Sequence, residues 1–432
     1  MRIPSGILHN AAVGSEQYDN FLSICSSFSG RREPSSMRFG EFMLTFLTVT
    51  FFTAFVISLL VTPLIRRFAP QLGLVDLPGD RKVHVTPTPM GGGIAVFLGM
   101  AVSGLLLLLL ESFASSSSSY FETLMKTLDE SKEVQWQTAG IIGGAVILFA
   151  TGLADDLWNL SWKLRLGIQT IVAFGVTQCG VQATVFVAQP WIGIVVTVLW
   201  IMVLTNAMNF LDNMDGLSAG IGVIAALMSV GILVTMVRQP HEMVATGLLL
   251  LAGSLCGFLC WNRPPASIFM GDSGSNLIGF LLATLTVTGT FYEHSGSRHV
   301  ILAPLCILAI PLYDFVTVIL IRLKSGRSPF HGDKSHFSHR LVELGLRPSR
   351  AVLTIHLSTL MTGLGALLLY KVKDWTGAWL IIALICCVLS LVSILETVGR
   401  RSIAEGAAGD GGHHGAEMPA VESSTQKTVD AS

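Results

Sequence analysis

The sequence predicts an all-α polytopic integral membrane protein with about eleven transmembrane helices. Three observations favour this class: 51% of the 432 residues are hydrophobic, only 13% are charged, and the mean hydropathy is +0.64. Soluble globular chains carry roughly 25% charged residues, so this chain has about half the charge that a soluble enzyme displays. A soluble multidomain enzyme is therefore excluded.

Apolar runs of the length that crosses a bilayer recur along the chain. A hydrocarbon core about 30 Å thick needs roughly 20 apolar helical residues per crossing. Runs of this kind, bounded by charged residues, proline or glycine, lie at 42–65, 92–110, 138–153, 166–186, 190–208, 217–237, 243–261, 275–291, 299–321, 351–370 and 375–396. The runs at 138–153 and 275–291 are the shortest, and each boundary is expected to shift by several residues.

Charge and cysteine content narrow the class further. A formal net charge of −1 favours no nucleic-acid partner, and membrane lipids are the expected surroundings. All cysteines except Cys25 lie in apolar stretches, without a metal-type CxxC pair. They are therefore interpreted as small core residues.

The distribution of lysine and arginine predicts the orientation of the chain. Loops 66–91 and 322–350 and the loop around Lys163 are basic, whereas the Ser-rich loop 111–137 is nearly neutral. Basic loops stay in the cytoplasm, which places the N-terminus outside and the C-terminus inside. Arginines just before the first span argue the other way. In this orientation every strongly polar motif lies at the cytoplasmic face.

Composition divides the chain into three parts. Residues 1–36 form a polar leader without the apolar centre of a secretory signal peptide. Residues 37–400 form the transmembrane domain, and residues 401–432, rich in Gly, Ala, Ser and Glu, are predicted to be disordered. Met37 opens a segment that runs directly into the first span, so translation that starts at Met37 would account for the leader.

The first polar motif is the loop 76–93, which ends in three glycines at 91–93. Glycines before a helix leave backbone N–H groups free at its positive end, where phosphate binds, and Lys82 and His84 add donors. An ordinary basic turn is the alternative.

The second motif is the pair Asp155-Asp156, with Lys163 a short distance downstream. Neighbouring helical residues diverge by about 100°, so one carboxylate is expected to face a site and the other to support it. A solvated helix cap is the alternative.

The third motif contains Asn206, Asn209, Asp212 and Asp215, which recur every three residues. In a helix this spacing keeps the four side chains within about 180° and within reach of one ligand. Oxygen ligands of this kind suit Mg²⁺ or Mn²⁺, which bind one or two protein oxygens together with water and phosphate. Helix capping by Asn and Asp is the alternative.

The fourth motif is Asp272 with glycines on both sides, at 271 and 274. The glycines let the backbone approach a ligand closely, which leaves Asp272 free to act as a second metal ligand. An N-cap of the following helix is an equally good interpretation.

The fifth motif lies in the long basic loop and contains His331, Asp333, His336, His339 and Arg340. Histidine sets of this kind are also found at zinc sites. Lys334 and Arg340 would repel a cation, however, and their charges favour a diphosphate. Anion binding is therefore the better physical interpretation.

Together and in this order, the five motifs resemble those of the polyprenyl-phosphate N-acetylhexosamine-1-phosphate transferase family, the WecA/TagO type, which is related to the MraY translocases. The likeness covers about residues 42–396. It implies a membrane enzyme with cytoplasmic active-site loops that transfers a sugar 1-phosphate, with GlcNAc 1-phosphate favoured, from a UDP-sugar to undecaprenyl phosphate. Mg²⁺ would be the cofactor, with Mn²⁺ as an alternative. UMP would be released, and the product would start a cell-envelope polysaccharide such as lipopolysaccharide.

The resemblance also implies roles for individual residues. Metal ligation is attributed to Asp272 and Asn209. The acidic residues Asp155, Asp156, Asp212, Asp215 and Asp272 correspond to the family's catalytic positions. Substrate binding is attributed to Lys82, His84, Lys163, Asn206, His331, Asp333, His336, His339 and Arg340. Asp155 or Asp156 is the candidate base, although a phosphate monoester with a second pKa of about 6 is already anionic and a base is dispensable.

Two positions depart from the family's pattern. Asn213 stands where the family often has glycine, and Ser338 replaces one histidine of the final pair in PxHxDxxHxHHR. The second change affects the sugar contacts. The run of adjacent histidines in the MraY-type loop is also missing here, which disfavours a MurNAc-pentapeptide substrate.

A secondary transporter is the rival class. Transporter sites lie near the bilayer midplane on broken helices, and Asp314, shortly after Pro311, is the residue that fits such a position. A buried interhelical hydrogen bond is the favoured interpretation of Asp314. The N-acetylhexosamine, the downstream polymer and the oligomeric state, with a homodimer among the alternatives, stay open.

Overall fold

The computed structural model describes residues 34–78, 86–114, 132–183, 189–236, 242–289, 298–329 and 335–410. Within these ranges the chain is almost entirely helical. The elements are α1 (Pro34–Phe68), β1 (Val75–Asp76), β2 (Thr88–Pro89), α2 (Gly92–Ala114), α3 (Lys132–Trp158), α4 (Trp162–Gln178), α5 (Pro190–Leu211), α6 (Leu217–Met236), α7 (Glu242–Asn262), α8 (Asp272–Thr288), α9 (Ala303–Ile307), α10 (Ala309–Lys324), α11 (Phe337–Glu343), α12 (Pro348–Leu369) and α13 (Trp375–Asp410).

The chain divides into two compact units, residues 1–49 and 50–432. The described part of the first unit is helical and consists of residues 34–49. The second unit contains the five polar motifs, and the site described below lies within it.

Eight helices in the described ranges are long and apolar enough to cross a membrane, namely α1, α2, α3, α5, α6, α7, α12 and α13. A ninth span results if Arg298–Ile307 and Ala309–Lys324, which meet at a bend of 66°, form one crossing. The predicted class, a polytopic membrane protein, is confirmed. The predicted number of about eleven spans is higher than these eight or nine.

Two predicted spans correspond to helices of only 17 residues, α4 and α8. The run 166–186 is uncharged, but α4 ends at Gln178 because Gly180 adopts a φ of 93° and turns the chain. α8 is buried over nearly its whole length and packs against α3 and α5. Apolar composition alone does not distinguish such a protein-enclosed helix from one that faces lipid.

A short two-stranded sheet links the first loop to the start of α8. β1 and β2 pair antiparallel, and Met90, which follows β2, pairs with Phe269. The N–H of Gly92 donates to the Phe269 carbonyl and that of Gly93 to the Met270 carbonyl, both at 2.9 Å. These bonds bring the start of α2 next to the start of α8.

Both predicted terminal boundaries lie near helix ends. α1 begins at Pro34, close to the predicted start of the transmembrane domain at residue 37. α13 continues to Asp410, ten residues into the segment 401–432 that is predicted to be disordered. The domain boundaries themselves stay predictions, and residues 1–33 and 411–432 lie outside the described ranges.

Candidate active site

Asp272, the first residue of α8, is the point at which three of the polar motifs meet. Its Oδ1 accepts a hydrogen bond from Asn209 Nδ2 at 2.8 Å, and its Oδ2 accepts one from Arg165 Nη1 at 3.0 Å. The side chain is 33% exposed, so a ligand can reach it. Residues far apart in the sequence therefore converge on one accessible carboxylate.

Asp156 holds the start of α8 in place. The first N–H groups of a helix have no intrahelical partner, and here the carboxylate of Asp156 accepts from the N–H of Asp272 at 2.7 Å and that of Ser273 at 3.1 Å. Gly271 must be glycine, since its φ is 79° and a Cβ would lie 2.7 Å from Asp156 Oδ2. A Cβ on Gly152 would lie 2.4 Å from the Asp272 carbonyl oxygen, so α3 approaches α8 closely. Asp156 therefore acts on Asp272 by positioning its helix.

Asp155 forms an ion pair with Arg165, and Arg165 also contacts Asp272 through the same Nη1 nitrogen. Asp155 is buried, and its other oxygen accepts from the Leu160 N–H at 2.7 Å. The two neighbouring aspartates thus have different partners, and which of them faces a substrate stays a prediction. Arg165 is a residue that the sequence analysis missed, since its partner Asp272 lies 107 positions away.

The prediction that a helical spacing of three residues brings Asn206, Asn209, Asp212 and Asp215 together is wrong beyond the second residue. α5 ends at Leu211, so Asn209 is helical whereas Asp212 caps the helix end with φ −80° and ψ 47°. Asn209 also donates to Ser275 Oγ at 3.0 Å. Asn206 donates to Gln169 Oε1 at 2.7 Å and to the Met202 carbonyl at 2.8 Å, so the structure uses its amide for helix packing.

Asp212 is half-buried, and its carboxyl group lies close to the Asp272 cluster. The pKa of Asp212 is raised to about 7, chiefly by burial and to a smaller extent by the nearby carboxylates of Asp156 and Asp215. Hydrogen bonds from Ser218 Oγ, at 2.7 Å, and from the N–H of Gly271 oppose this shift. Near neutral pH this carboxyl group is therefore protonated in part of the molecules.

Two predicted site residues have partners outside the Asp272 cluster. Asp215 accepts from the Ala266 N–H at 2.9 Å and so holds the loop that follows α7. Lys163 is exposed, with its Nζ 5.7 Å from the centroid of the Trp162 ring. In the described part of the chain, the cation that contacts the cluster is Arg165.

The phosphate site expected from the glycines at 91–93 needs correction. The N–H groups of Gly92 and Gly93 donate to backbone carbonyls of the segment before α8, and the Ile94 N–H donates to the Gly91 carbonyl at 3.0 Å. These donors are therefore occupied within the protein and do not form a free anion site. Lys82 and His84 lie outside the described residues.

Asp314 anchors the histidine segment, defined here as residues 335–340. Its Oδ2 lies 3.0 Å from His336 Nδ1, and its Oδ1 accepts from the Phe337 N–H at 2.5 Å. Asp314 is fully buried, and its described partners belong to the start of the short helix α11. The contact is therefore a buried hydrogen bond between two helices, which is the interpretation that the sequence favours for Asp314.

The described part of the histidine motif is mostly enclosed. Arg340 is 2% exposed, and it donates to the Ser335 carbonyl at 2.6 Å and to Thr317 Oγ1 at 3.2 Å. His339 has its ring centroid 6.4 Å from that of His336, and it alone within the histidine segment is partly exposed. His331 and Asp333 lie outside the described residues.

The donor set around Asp272 fits a hard divalent cation. In the described ranges no group of three His, Cys, Asp or Glu residues is arranged to hold a metal. Mg²⁺, however, commonly uses one or two protein oxygens and completes its shell with water and substrate phosphate. Asp272 and Asn209 supply a carboxylate and an amide side by side, and a 180° rotation of the amide presents its oxygen.

The fold and this site define a class: a polytopic membrane protein with an acidic cluster where helix ends meet. Comparison with known proteins gives the family. The model of glycosyl transferase family 4 matches residues 138–290. A Bacillus subtilis protein named "Probable undecaprenyl-phosphate N-acetylglucosaminyl 1-phosphate transferase" is 31% identical over 364 residues, covering 82% of this chain and 94% of that one.

Two further relatives agree. The decaprenyl-phosphate N-acetylglucosaminephosphotransferase of Mycobacterium tuberculosis is 33% identical over 373 residues, covering 80% of this chain and 88% of that one. The undecaprenyl-phosphate alpha-N-acetylglucosaminyl 1-phosphate transferase of Yersinia pestis is 27% identical over 309 residues, covering 68% and 76%. The chain belongs to glycosyl transferase family 4, and the resemblance found from the five motifs is confirmed.

Proposed function

We propose that this protein transfers GlcNAc 1-phosphate from UDP-GlcNAc to undecaprenyl phosphate and releases UMP. The named relatives carry this activity with undecaprenyl or decaprenyl phosphate, and two of them match at least 80% of this chain at 31–33% identity. The product, a lipid-linked sugar diphosphate, would start a cell-envelope polysaccharide.

The observation that carries this proposal is the accessible carboxylate of Asp272, supported from three sides. In the reaction an oxygen of the lipid phosphate attacks the sugar-linked phosphorus, and the bond from that phosphorus to the UMP oxygen breaks. Phosphoryl transfer depends mainly on positioning and on neutralising charge. Asp156 positions Asp272, while Arg165 compensates the charge of Asp272 and Asp155.

Asp272 and Asn209 are the residues that would hold Mg²⁺. When held by these two residues, the ion would supply positive charge that neutralises the diphosphate and the departing UMP. Arg165 also lies against Asp272, 3.0 Å from Oδ2, so this carboxylate already faces positive charge from one side. Asp155 has a buried ion pair and is available as a base only if Arg165 moves away from it.

The active site is assigned to the cytoplasmic face of the bacterial plasma membrane. Basic residues cluster at the helix ends on the side of the Asp272 cluster, with Arg66 and Arg67 ending α1 and Arg322 and Lys324 ending α10. Positive charge retained in the cytoplasm supports this orientation.

The alternative function, a secondary transporter, receives less support. It depends on an open acidic group near the midplane, and both oxygens of Asp314 are engaged by His336 and Phe337. A MurNAc-pentapeptide substrate is disfavoured by the missing run of adjacent histidines, and a substrate panel separates that activity from the proposed one.

The test is an assay of the purified protein in detergent with undecaprenyl phosphate, Mg²⁺ and either UDP-GlcNAc, UDP-GalNAc or UDP-MurNAc-pentapeptide, followed by product mass. UMP release with UDP-GlcNAc is expected. Asp272→Asn should lower it by a factor on the order of 100, because a charge-stabilising group is lost. Asp374→Asn is the matched control, since Asp374 caps the first turn of α13 and lies on an exposed surface. Release with UDP-MurNAc-pentapeptide alone, or full activity of Asp272→Asn, would contradict the proposal.

A further inference from the structure

The two positions at which this chain departs from the motif pattern of its family contact each other. Ser338 Oγ donates to Asn213 Oδ1 at 2.5 Å across 125 positions of sequence. Asn213 belongs to the acidic segment, defined here as residues 212–216, and Ser338 lies in the histidine segment. A single side-chain hydrogen bond therefore joins two separate motifs of the site.

The geometry of Asn213 suits this contact. Its Nδ2 donates to the Phe210 carbonyl at 2.6 Å, which fixes the orientation of the amide and leaves Oδ1 as the acceptor for Ser338. Among the described non-glycine residues, a positive φ is found at Asn159 and not at Asn213. Residue 213 therefore needs no glycine in this chain, and its side chain is free of backbone strain.

Ser338 is 0% exposed, so a solvent water molecule cannot replace Asn213 as its hydrogen-bond partner. A buried hydroxyl group that loses its acceptor is costly, so this contact holds the two segments at one separation. The neighbouring packing agrees. The Phe210 ring lies 5.6 Å from the His336 ring and 5.0 Å from the Arg322 guanidinium, measured from the Phe210 centroid. The end of α5 and the histidine segment thus form one packed unit.

We propose that the Asn213–Ser338 hydrogen bond is a positioning contact that sets the location of His339 relative to the acidic segment and thereby strengthens binding of the UDP-sugar. The inference rests on the proposed function and on the substrate-binding role that the family resemblance implies for His336, His339 and Arg340. His339 follows Ser338 directly and is the partly exposed member of that segment. Because Ser338 is buried and bonded to Asn213, the backbone that carries His339 is held at the acidic segment.

The test is a double-mutant cycle of Asn213→Ala and Ser338→Ala with separate measurement of kcat and of KM for each substrate. Each single substitution is expected to raise KM for UDP-GlcNAc on the order of 10-fold, as loss of a buried hydrogen bond does. We expect kcat to stay within about threefold and KM for undecaprenyl phosphate within about twofold. The double variant should resemble either single variant, because one bond is lost in all three.

Ser229→Ala is the matched control. Ser229 is fully buried and donates within its own helix to the Ala225 carbonyl at 2.9 Å, away from the motifs. Its kinetic constants should match those of the wild type.

Three results would overturn the inference. Effects that multiply in the double variant would show that the two residues act independently. A fall in kcat with both KM values unchanged would show a general loss of folded enzyme. Single variants that match Ser229→Ala would show that the bond is dispensable. An inactive wild type would refute the proposed function and this inference with it, whereas an active wild type with independent effects refutes the inference alone.

Discussion

Replacing Asp156 with asparagine tests how the start of α8 is held. Each carboxylate oxygen accepts one backbone N–H, from Asp272 and from Ser273. An amide can accept only one of them, so one buried N–H loses its partner at a cost of about 1–3 kcal/mol. The lost negative charge at a helix N-terminus costs about 0.3–1 kcal/mol more. The local loss is therefore roughly 1–4 kcal/mol, enough to displace Asp272.

Displacement of a reacting group by about 1 Å can cost on the order of 100-fold in rate, so we expect turnover of Asp156→Asn to fall at least about 10-fold. UMP release and the thermal unfolding midpoint in the same detergent measure the two effects. The control is Asp374→Asn, which also removes charge from a carboxylate at a helix start but accepts only the Gly377 N–H on the surface. It should leave turnover within about twofold, as surface substitutions usually do. Wild-type turnover and midpoint in Asp156→Asn would refute the positioning role.

Three further predictions concern the cation, the histidine segment and the orientation. Arg165→Ala should lower UMP release on the order of 100-fold, whereas Arg165→Lys should keep more of it because one nitrogen makes both contacts; equal losses would contradict this. Asp314→Ala should lower turnover about 10-fold and speed proteolysis between α10 and α12, because the Phe337 N–H and the His336 ring both lose the carboxylate that holds the start of α11; an unchanged digest would count against that role. An impermeant maleimide applied to intact cells should label Lys373→Cys but not Ser325→Cys, both exposed sites, and the reverse pattern would invert the membrane orientation.

Local sequence patterns were sufficient for most of the helices, whereas the side of the membrane on which the motifs lie stays a prediction. Each apolar run predicts a helix, and the alternation of helix direction brings the ends that carry Asp156, Asn209 and Asp272 together. The boundaries depended on finer signals. α5 ends at Leu211. The regular spacing of the polar residues therefore extends beyond the helix that was expected to contain all of them.

The partners of the site residues could not be predicted, because they are long-range contacts. Nothing local to Arg165 distinguishes it from Lys163, yet Arg165 reaches Asp272 while Lys163 lies over a tryptophan ring. The contact of Asn213 with Ser338 is equally distant in sequence. Two departures from a motif pattern are visible in a sequence, but only the fold shows that they touch.

Charge balance supports the need for a cation at this site. Asp155, Asp156 and Asp272 bring three carboxylates together, Asp212 adds a fourth that is partly protonated near neutral pH, and Arg165 is the cation that contacts this cluster among the described residues. Two unit charges 4 Å apart repel by about 1–4 kcal/mol in surroundings between water and a protein surface. A diphosphate and a lipid phosphate would therefore add anions to a site that is already negative. A divalent cation held by Asp272 would offset that repulsion, so we predict that binding of UDP-GlcNAc depends on Mg²⁺ more steeply than the fold does.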